Sequence, residues 1–390
     1  MIQMADHMSR LGTESAFEVL ARAAKLQAGG MDVINLGIGQ PDFKTPDHIV
    51  DAAVKAMRDG HHGYTPANGI VELREAVAAD FEKRNGVVID PDNVVVVPGG
   101  KVTMFFAIMM FGAPGVEILY PDPGFPIYRS VIDFSGATAV PIRLREENEF
   151  SLNAQEVLDL ITPATRLLIL NSPANPTGGV LRKEDLDQLV EGLQAHPQVV
   201  VLSDEIYSQM LYDGHEHVSL MQYESIRDRV ILLDGWSKTY AMTGWRLGYA
   251  IWPKELAEPA TRLAINCHSC VNAPTQFAGL AALTGPQHAV HEMTRAFDKR
   301  RKIIVPELND IPGFSCVNPG GAFYAFPNIS GTGLTARQFQ DGLLEEVGVA
   351  TVAGTSFGEY GEGFIRFSYA NSIENIQAAL QRIRVWLQAR

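Results

Sequence analysis

Short apolar runs that do not alternate with polar residues constrain this chain most. Val94-Val95-Val96-Val97, Val116 to Tyr120, Leu167 to Leu170, Val199 to Leu202 and Val230 to Leu233 are almost unbroken. A strand with one wet face alternates apolar and polar side chains; a strand covered on both faces has no need to. Stretches long enough for a crossover helix separate the runs, for example Val102 to Met110 after Pro98-Gly99-Gly100. The pattern predicts an α/β fold, a largely parallel sheet between helices. In such sheets the ligand lies beyond the carboxyl ends of the strands. Gly99-Gly100-Lys101, Asn171, Ser203-Asp204 and Asp234 to Lys238 all follow runs and are expected to share one site. The C-terminal part reads as a smaller α+β unit, with strands at Gly321 to Phe326 and Phe364 to Tyr369 and a closing amphipathic helix from Gln377 to Gln388.

With 390 residues, of which 46% are hydrophobic, the chain can bury more than one core and is expected to form two domains. Acidic residues outnumber basic ones by 45 to 32, a net charge of −13. That balance argues against a nucleic-acid binder and against an anionic membrane surface. No apolar run approaches bilayer length, and Met1 to Arg10 lacks a signal-peptide core. Three cysteines cannot build a disulfide framework, so a cytoplasmic location is the expectation.

Chemistry enters with Lys238. It follows an apolar run and sits beside Gly235, Trp236 and Ser237, where burial disfavours the ammonium and frees an amine able to condense with an aldehyde. Arg246, in the same segment, suits a phosphate gripped by two bonds at once. An amine and a phosphate clamp together point to a phosphorylated aldehyde, pyridoxal phosphate. That cofactor makes further demands. Asp204, after the run ending at Leu202, suits a protonated pyridine nitrogen, and Tyr207 and Asn175 suit the ring's phenolic oxygen. Gly99-Gly100-Lys101, between strand and helix, offers backbone amides to the phosphate. Phe125 could cover a ring face, and Arg366, on an apolar strand, could grip a substrate carboxylate.

The motifs, in order, resemble the fold-type I aminotransferases of class I, especially the bacterial aspartate aminotransferase subgroup. They are Leu36 to Phe43, Tyr64 to Gly69, Leu73-Arg74, Gly99-Gly100-Lys101, Asn175-Pro176-Thr177-Gly178, Asp204-Glu205-Ile206-Tyr207, Ser237-Lys238 with Arg246, and Arg366. The resemblance implies a large domain (46–290) with a mostly parallel seven-stranded sheet, and a small domain from 1–45 and 291–390. It implies a Schiff base on Lys238, which also shuttles a proton, with Asp204 on the pyridinium and Asn175 and Tyr207 on the phenolate. Gly99, Gly100, Lys101, Ser237 and Arg246 would surround the phosphate, and Gly39 and Arg366 the α-carboxylate. Tyr64 would reach the phosphate of a neighbouring subunit, so a homodimer is implied. The expected reaction is ping-pong transamination between an L-amino acid, aspartate favoured, and 2-oxoglutarate. Lys101 either binds a distal carboxylate or points to solvent with only its amide used.

Two departures qualify the resemblance. Gly235 stands where many relatives carry a phosphate-binding serine, and Phe125 stands where the stacking residue is often tryptophan. The position spaced like a side-chain-binding arginine is Asn272, which leaves aromatic or neutral donors open. A β-lyase or synthase on the same fold, and a non-enzymatic ligand-binding module, are the rival readings. Gly354-Thr355-Ser356-Phe357-Gly358 spells a hydrolase nucleophile elbow but lacks the helix that motif requires after it. Cys267-His268-Ser269-Cys270 has no second ligand pair and reads as a satisfied structural cluster, and His215-Glu216-His217 reads as a polar turn.

Overall fold

The computed structural model describes residues 2–390. Its strands in chain order are β1 (Ile34–Asn35), β2 (Val94–Val97), β3 (Glu117–Asp122), β4 (Thr138–Arg143), β5 (Thr165–Asn171), β6 (Val200–Asp204), β7 (Val230–Gly235), β8 (Gly248–Ile251), β9 (Tyr324–Ala325), β10 (Val349–Ala350), β11 (Val352–Ala353) and β12 (Ile365–Ser368). Seven of them form one sheet in the order β2-β8-β7-β6-β5-β3-β4. All neighbours are parallel except β8, which runs against both β2 and β7.

The unbroken apolar runs are explained by two cores, one on each face. Leu168, Leu170, Val201 and Leu232 join one core, whereas Leu167, Ile169, Leu202 and Ile231 join the other. Adjacent residues point to opposite faces, so nearly every position of a central strand is buried, Arg166 and Val200 being half-buried. Two strands of the large sheet escaped the sequence reading. β4 is an edge strand that contains Pro141 and stays half-buried; its proline costs nothing where no outer strand seeks its amide. β8 is only four residues long and begins on a glycine.

A third core gathers Ile34 and Leu36 with Phe297, Phe323, Phe339, Ile365, Ile383 and others from the C-terminal part, and includes Tyr207, Met210 and Tyr212 from the segment that follows β6. The expected strand over 321–326 contracts to β9, because the ladder lasts only where Phe367 and Ser368 of β12 face Ala325 and Tyr324. The closing helix runs from Ile373 to Gln388, capped by Ser372, and buries Ile376, Leu380 and Ile383 on one stripe. Among the described residues no helix is long and apolar enough to cross a membrane.

Near the N-terminus, Arg10 donates to the carbonyls of Asp133 and Phe134, and the Gly12 amide donates to Ser130 Oγ at 2.9 Å. These bonds tie the segment to the helix Ile127–Ser135; the following helix, Ser15–Ala28, packs on β10 and β11, and its start, at Glu14, Ala16 and Phe17, lines the cavity beyond the large sheet.

Candidate active site

A cavity of about 560 Å³ opens where β5, β6 and β7 end. Its walls include Gly39, Gly100, Lys101, Phe125, Asn175, Asp204, Tyr207, Ser237, Lys238, Arg246 and Arg366, so residues remote in sequence converge on one site. Of the expected residues Gly99 lies just behind the wall, against Arg246, and Tyr64 lies elsewhere, 92% exposed.

Asp204 closes β6 and is buried. Tyr128 donates its hydroxyl to Asp204 Oδ2 at 2.6 Å, and the Ile206 amide donates to Oδ1 at 3.3 Å. Burial outweighs these bonds and pushes the carboxyl up to about 7. A carboxylate this starved of solvent favours a cationic N–H partner at the cavity floor. Tyr128 sits one helical turn beyond Phe125, on the helix starting at Ile127; its role was not apparent before the fold brought it to β6.

Lys238 lies in the short helix Trp236–Thr239 that follows β7 and donates to the Gly39 carbonyl. Burial, then the positive charges of Arg366, Arg246 and Lys101, lowers its amine to about 8, with Glu14 opposing them. The expectation of a depressed amine rested on burial alone; the neighbouring cations are a tertiary contribution.

Arg366, on β12, is buried and donates to Asn175 Oδ1 at 2.8 Å and to the Gly37 carbonyl. Its Nε has no partner, an orphaned buried donor of the kind a ligand carboxylate satisfies. The guanidinium lies 4.6 Å from the centre of the Tyr324 ring and 4.8 Å from that of Phe357. Because Asn175 Oδ1 is taken by Arg366 and its backbone amide by Asn171 Oδ1 at 2.9 Å, the Asn175 side-chain amide is turned as a donor. Tyr207 and Tyr324 share a hydroxyl–hydroxyl bond of 2.7 Å. Tyr324 also explains Gly39, since a Cβ there would stand 2.3 Å from the Tyr324 hydroxyl.

The anion-binding end is built by close backbone approach. Gly99 has φ +92°, and a Cβ on it would fall 2.0 Å from Arg246 Nη2. Gly100 caps the helix Lys101–Phe111, whose amides at Val102 and Thr103 bond back to Gly99 and Gly100. The first helical turn thus presents its remaining amides beside a guanidinium, an arrangement suited to a phosphate. Gly235 stands opposite Gly248 in the β7–β8 ladder. A Cβ on Gly235 would lie 2.8 Å from Gly248 Cα, and one on Gly248 would lie 2.6 Å from the Gly100 amide nitrogen. A serine at position 235 does not fit this packing. Gly235→Ser should therefore destabilise the protein by about 1–3 kcal/mol, measured as a lower denaturation midpoint, rather than improve cofactor retention.

Lys101 settles neither of its two expected alternatives alone. Its Nζ pairs with Glu14 Oε2 at 2.8 Å and lies 5.4 Å from the centre of the Phe125 ring. The side chain therefore faces the cavity mouth. Asn272, by contrast, caps the helix Ala273–Thr284, with Oδ1 accepting from the Thr275 amide and hydroxyl. Glu14, Tyr128, Phe17 and Tyr324 are site residues that no local motif marked.

Other motifs resolve differently from their sequence reading. His217 is no simple turn residue: its Nε2 meets buried Glu205 Oε2 at 2.6 Å, and Ser203 and Ser219 both donate to Glu205 Oε1. The Cys267–Cys270 segment is not internally satisfied, since both ring nitrogens of His268 lack partners and all three cysteines are free. Ser356 sits in the turn Gly354–Phe357 with no following helix of the elbow type.

The sequence profile of the aminotransferase class I and II family matches residues 31–383. The aspartate aminotransferase of Geobacillus stearothermophilus is 37% identical over 395 residues, covering 100% of both chains. Aromatic-amino-acid aminotransferase 2 of Thermococcus litoralis is 38% identical over 361 residues, covering 92% of each. The crystal structure of the aspartate aminotransferase from Rhizobium meliloti superposes with a TM-score of 0.95 at 36% identity, covering 100% of this chain and 99% of that one. The chain belongs to the class I and II aminotransferases. It is a transaminase dependent on pyridoxal phosphate.

Proposed function

We propose that the enzyme moves the amino group of aspartate to 2-oxoglutarate by a ping-pong reaction. The observation that carries this reading is the charge of the cavity: Lys101, Lys238, Arg246 and Arg366 all line it, against only Glu14 and Asp204. Two of the four cations suit the cofactor, and the other two suit a substrate with a carboxylate at each end. The residues fit pyridoxal phosphate on their own chemistry. Arg246 with the Gly100 and Lys101 amides and Ser237 would hold the phosphate; Asp204 the ring nitrogen; Asn175 and Tyr207 the phenolic oxygen; Phe125 a ring face. Bound there, the cofactor supplies an aldehyde to take the amino group and a ring to accept an electron pair.

The chain's own residues supply the rest. Arg366 and the Gly39 backbone would fix the α-carboxylate, which holds the substrate's Cα proton within reach of Lys238. The Lys238 amine, already biased toward its neutral form, would take that proton and return it to the cofactor side. Asp204, held by Tyr128, would keep the ring nitrogen protonated. Exposed Tyr64, together with exposed Met57, Val71 and Ile265, supports a homodimer in which Tyr64 serves the neighbouring site. On the same footing the chain divides into a large domain (46–290) and a small one (1–45 with 291–390), since the third core gathers mainly the latter segments.

A donor panel with 2-oxoglutarate tests the proposal. Aspartate should give the highest kcat/KM, and a donor supplied without oxo acid should yield at most one product equivalent per site. Continued product release without an oxo acid would establish the lyase reading instead. Aromatic donors outrunning aspartate would move the assignment toward the aromatic relatives.

A further inference from the structure

Glu14 occupies the N-cap position of the helix Ser15–Ala28, yet its side chain makes no capping bond. A cap is usually Ser, Thr, Asp or Asn, whose short side chain reaches the first-turn amides. Glu14 instead reaches out to Lys101, 2.8 Å away and remote in sequence, and this is its one side-chain hydrogen bond among the described residues. The carboxylate is largely shielded, 19% exposed, whereas the lysine is 41% exposed. Both line the cavity. The Phe17 and Phe125 rings lie 5.8 and 5.4 Å from Lys101 Nζ, so the cation sits between two aromatic groups with Glu14 as its counter-ion. Glu14 also acts on Lys238, opposing the burial and neighbouring cations that depress its amine. An ordinary surface ion pair would lie outside the cavity and would leave the catalytic amine untouched.

We propose that Glu14 is a resident competitor for the substrate's second carboxylate: it neutralises Lys101 until a dicarboxylate displaces it. This rests on the acidic-substrate reading of the site. The physical basis is exchange of like for like. A part-exposed pair of this kind is weak, so an incoming carboxylate can replace Glu14 at little net cost, but it must do so against the repulsion of a second negative charge. A substrate with an apolar side chain meets no such rival. It finds Lys101 already neutralised and the Phe17 ring beside it. Glu14 therefore sets the balance between acidic and apolar substrates and lowers the affinity for the former.

The test uses the holoenzyme and two unreactive ligands, maleate as the dicarboxylate and 3-phenylpropionate as its apolar counterpart, with Kd measured by calorimetry. Glu14→Gln should bind maleate about two- to fivefold more tightly and shift the maleate-to-phenylpropionate affinity ratio in the same direction. In Lys101→Met, maleate binding should weaken, and adding Glu14→Gln should then change it little, because the two residues act through one contact. An unchanged ratio in Glu14→Gln, with Lys101→Met still weakening maleate, overturns the competitor role alone. If Lys101→Met leaves maleate binding intact, the acidic-substrate reading itself fails.

Discussion

Lys238→Ala should lower kcat by roughly 10⁴-fold or more, because in the proposed mechanism one side chain supplies both the amine that anchors the cofactor and the base that moves the Cα proton. A second readout is independent of turnover. Borohydride reduction of the wild type should leave the cofactor's mass on the peptide containing Lys238, and the variant should carry no such adduct there. The same substitution bears on stability. The amine is lowered to about 8, by burial first and then by Arg366, so below that pH the folded, cofactor-free protein holds a charge its surroundings disfavour. That cost is complete below about pH 8 and fades toward the amine's ordinary value of about 10.4. Cofactor-free Lys238→Ala should accordingly melt no lower than the wild type at pH 7. An active variant, or a reduced adduct on another lysine, would remove Lys238 from the centre of the mechanism.

Asp204→Asn should cost about 10²–10³-fold in kcat/KM, the scale of losing one fixed charge aimed at the reacting group. Its effect on the cofactor-free protein should have the opposite sign. Burial raises the Asp204 carboxyl to about 7. Between the ordinary carboxylate value of about 4 and that pH, the folded protein keeps a proton that the unfolded chain has lost. Stability therefore declines as pH rises through this window, and the cost is complete above about 7. Asparagine can still accept from Tyr128 and carries no charge to bury. Cofactor-free Asp204→Asn should melt roughly 2 °C or more above the wild type at pH 8, with the gap narrowing toward pH 5. Asp122 and Asp234, both raised to about 6 by burial, titrate in the same range but cancel in the comparison. Thermal melts of the two proteins across this range decide the matter; a gap that fails to widen with pH would mean that Asp204 is not strained in the empty site. Function at this position is thus expected to oppose stability, as it does wherever a buried charge awaits its partner.

Much of the site was legible before the fold was known. Gly99-Gly100-Lys101, Asp204 and Ser237-Lys238 follow apolar runs directly, and a parallel sheet delivers the ends of such runs to one edge. Arg366 stood out because a charge on an apolar strand demands a partner. Short or proline-bearing strands were less legible: Pro141 interrupts β4, and β8 is only four residues long and begins on a glycine.

What the sequence by itself determined was the list of candidate reactive groups and the edge of the sheet on which they gather. Those properties are written in short windows, through the burial pattern of a strand and the turn that follows it. The tertiary structure alone decided which groups meet. It brought Tyr128 to Asp204, Tyr324 to Gly39 and Tyr207, Asn175 to Arg366, and Glu14 to Lys101. It also turned Asn272 into a helix cap and excluded a side chain from Gly235. These pairings depend on sheet register and on how helices from distant parts of the chain pack, and no local periodicity encodes either.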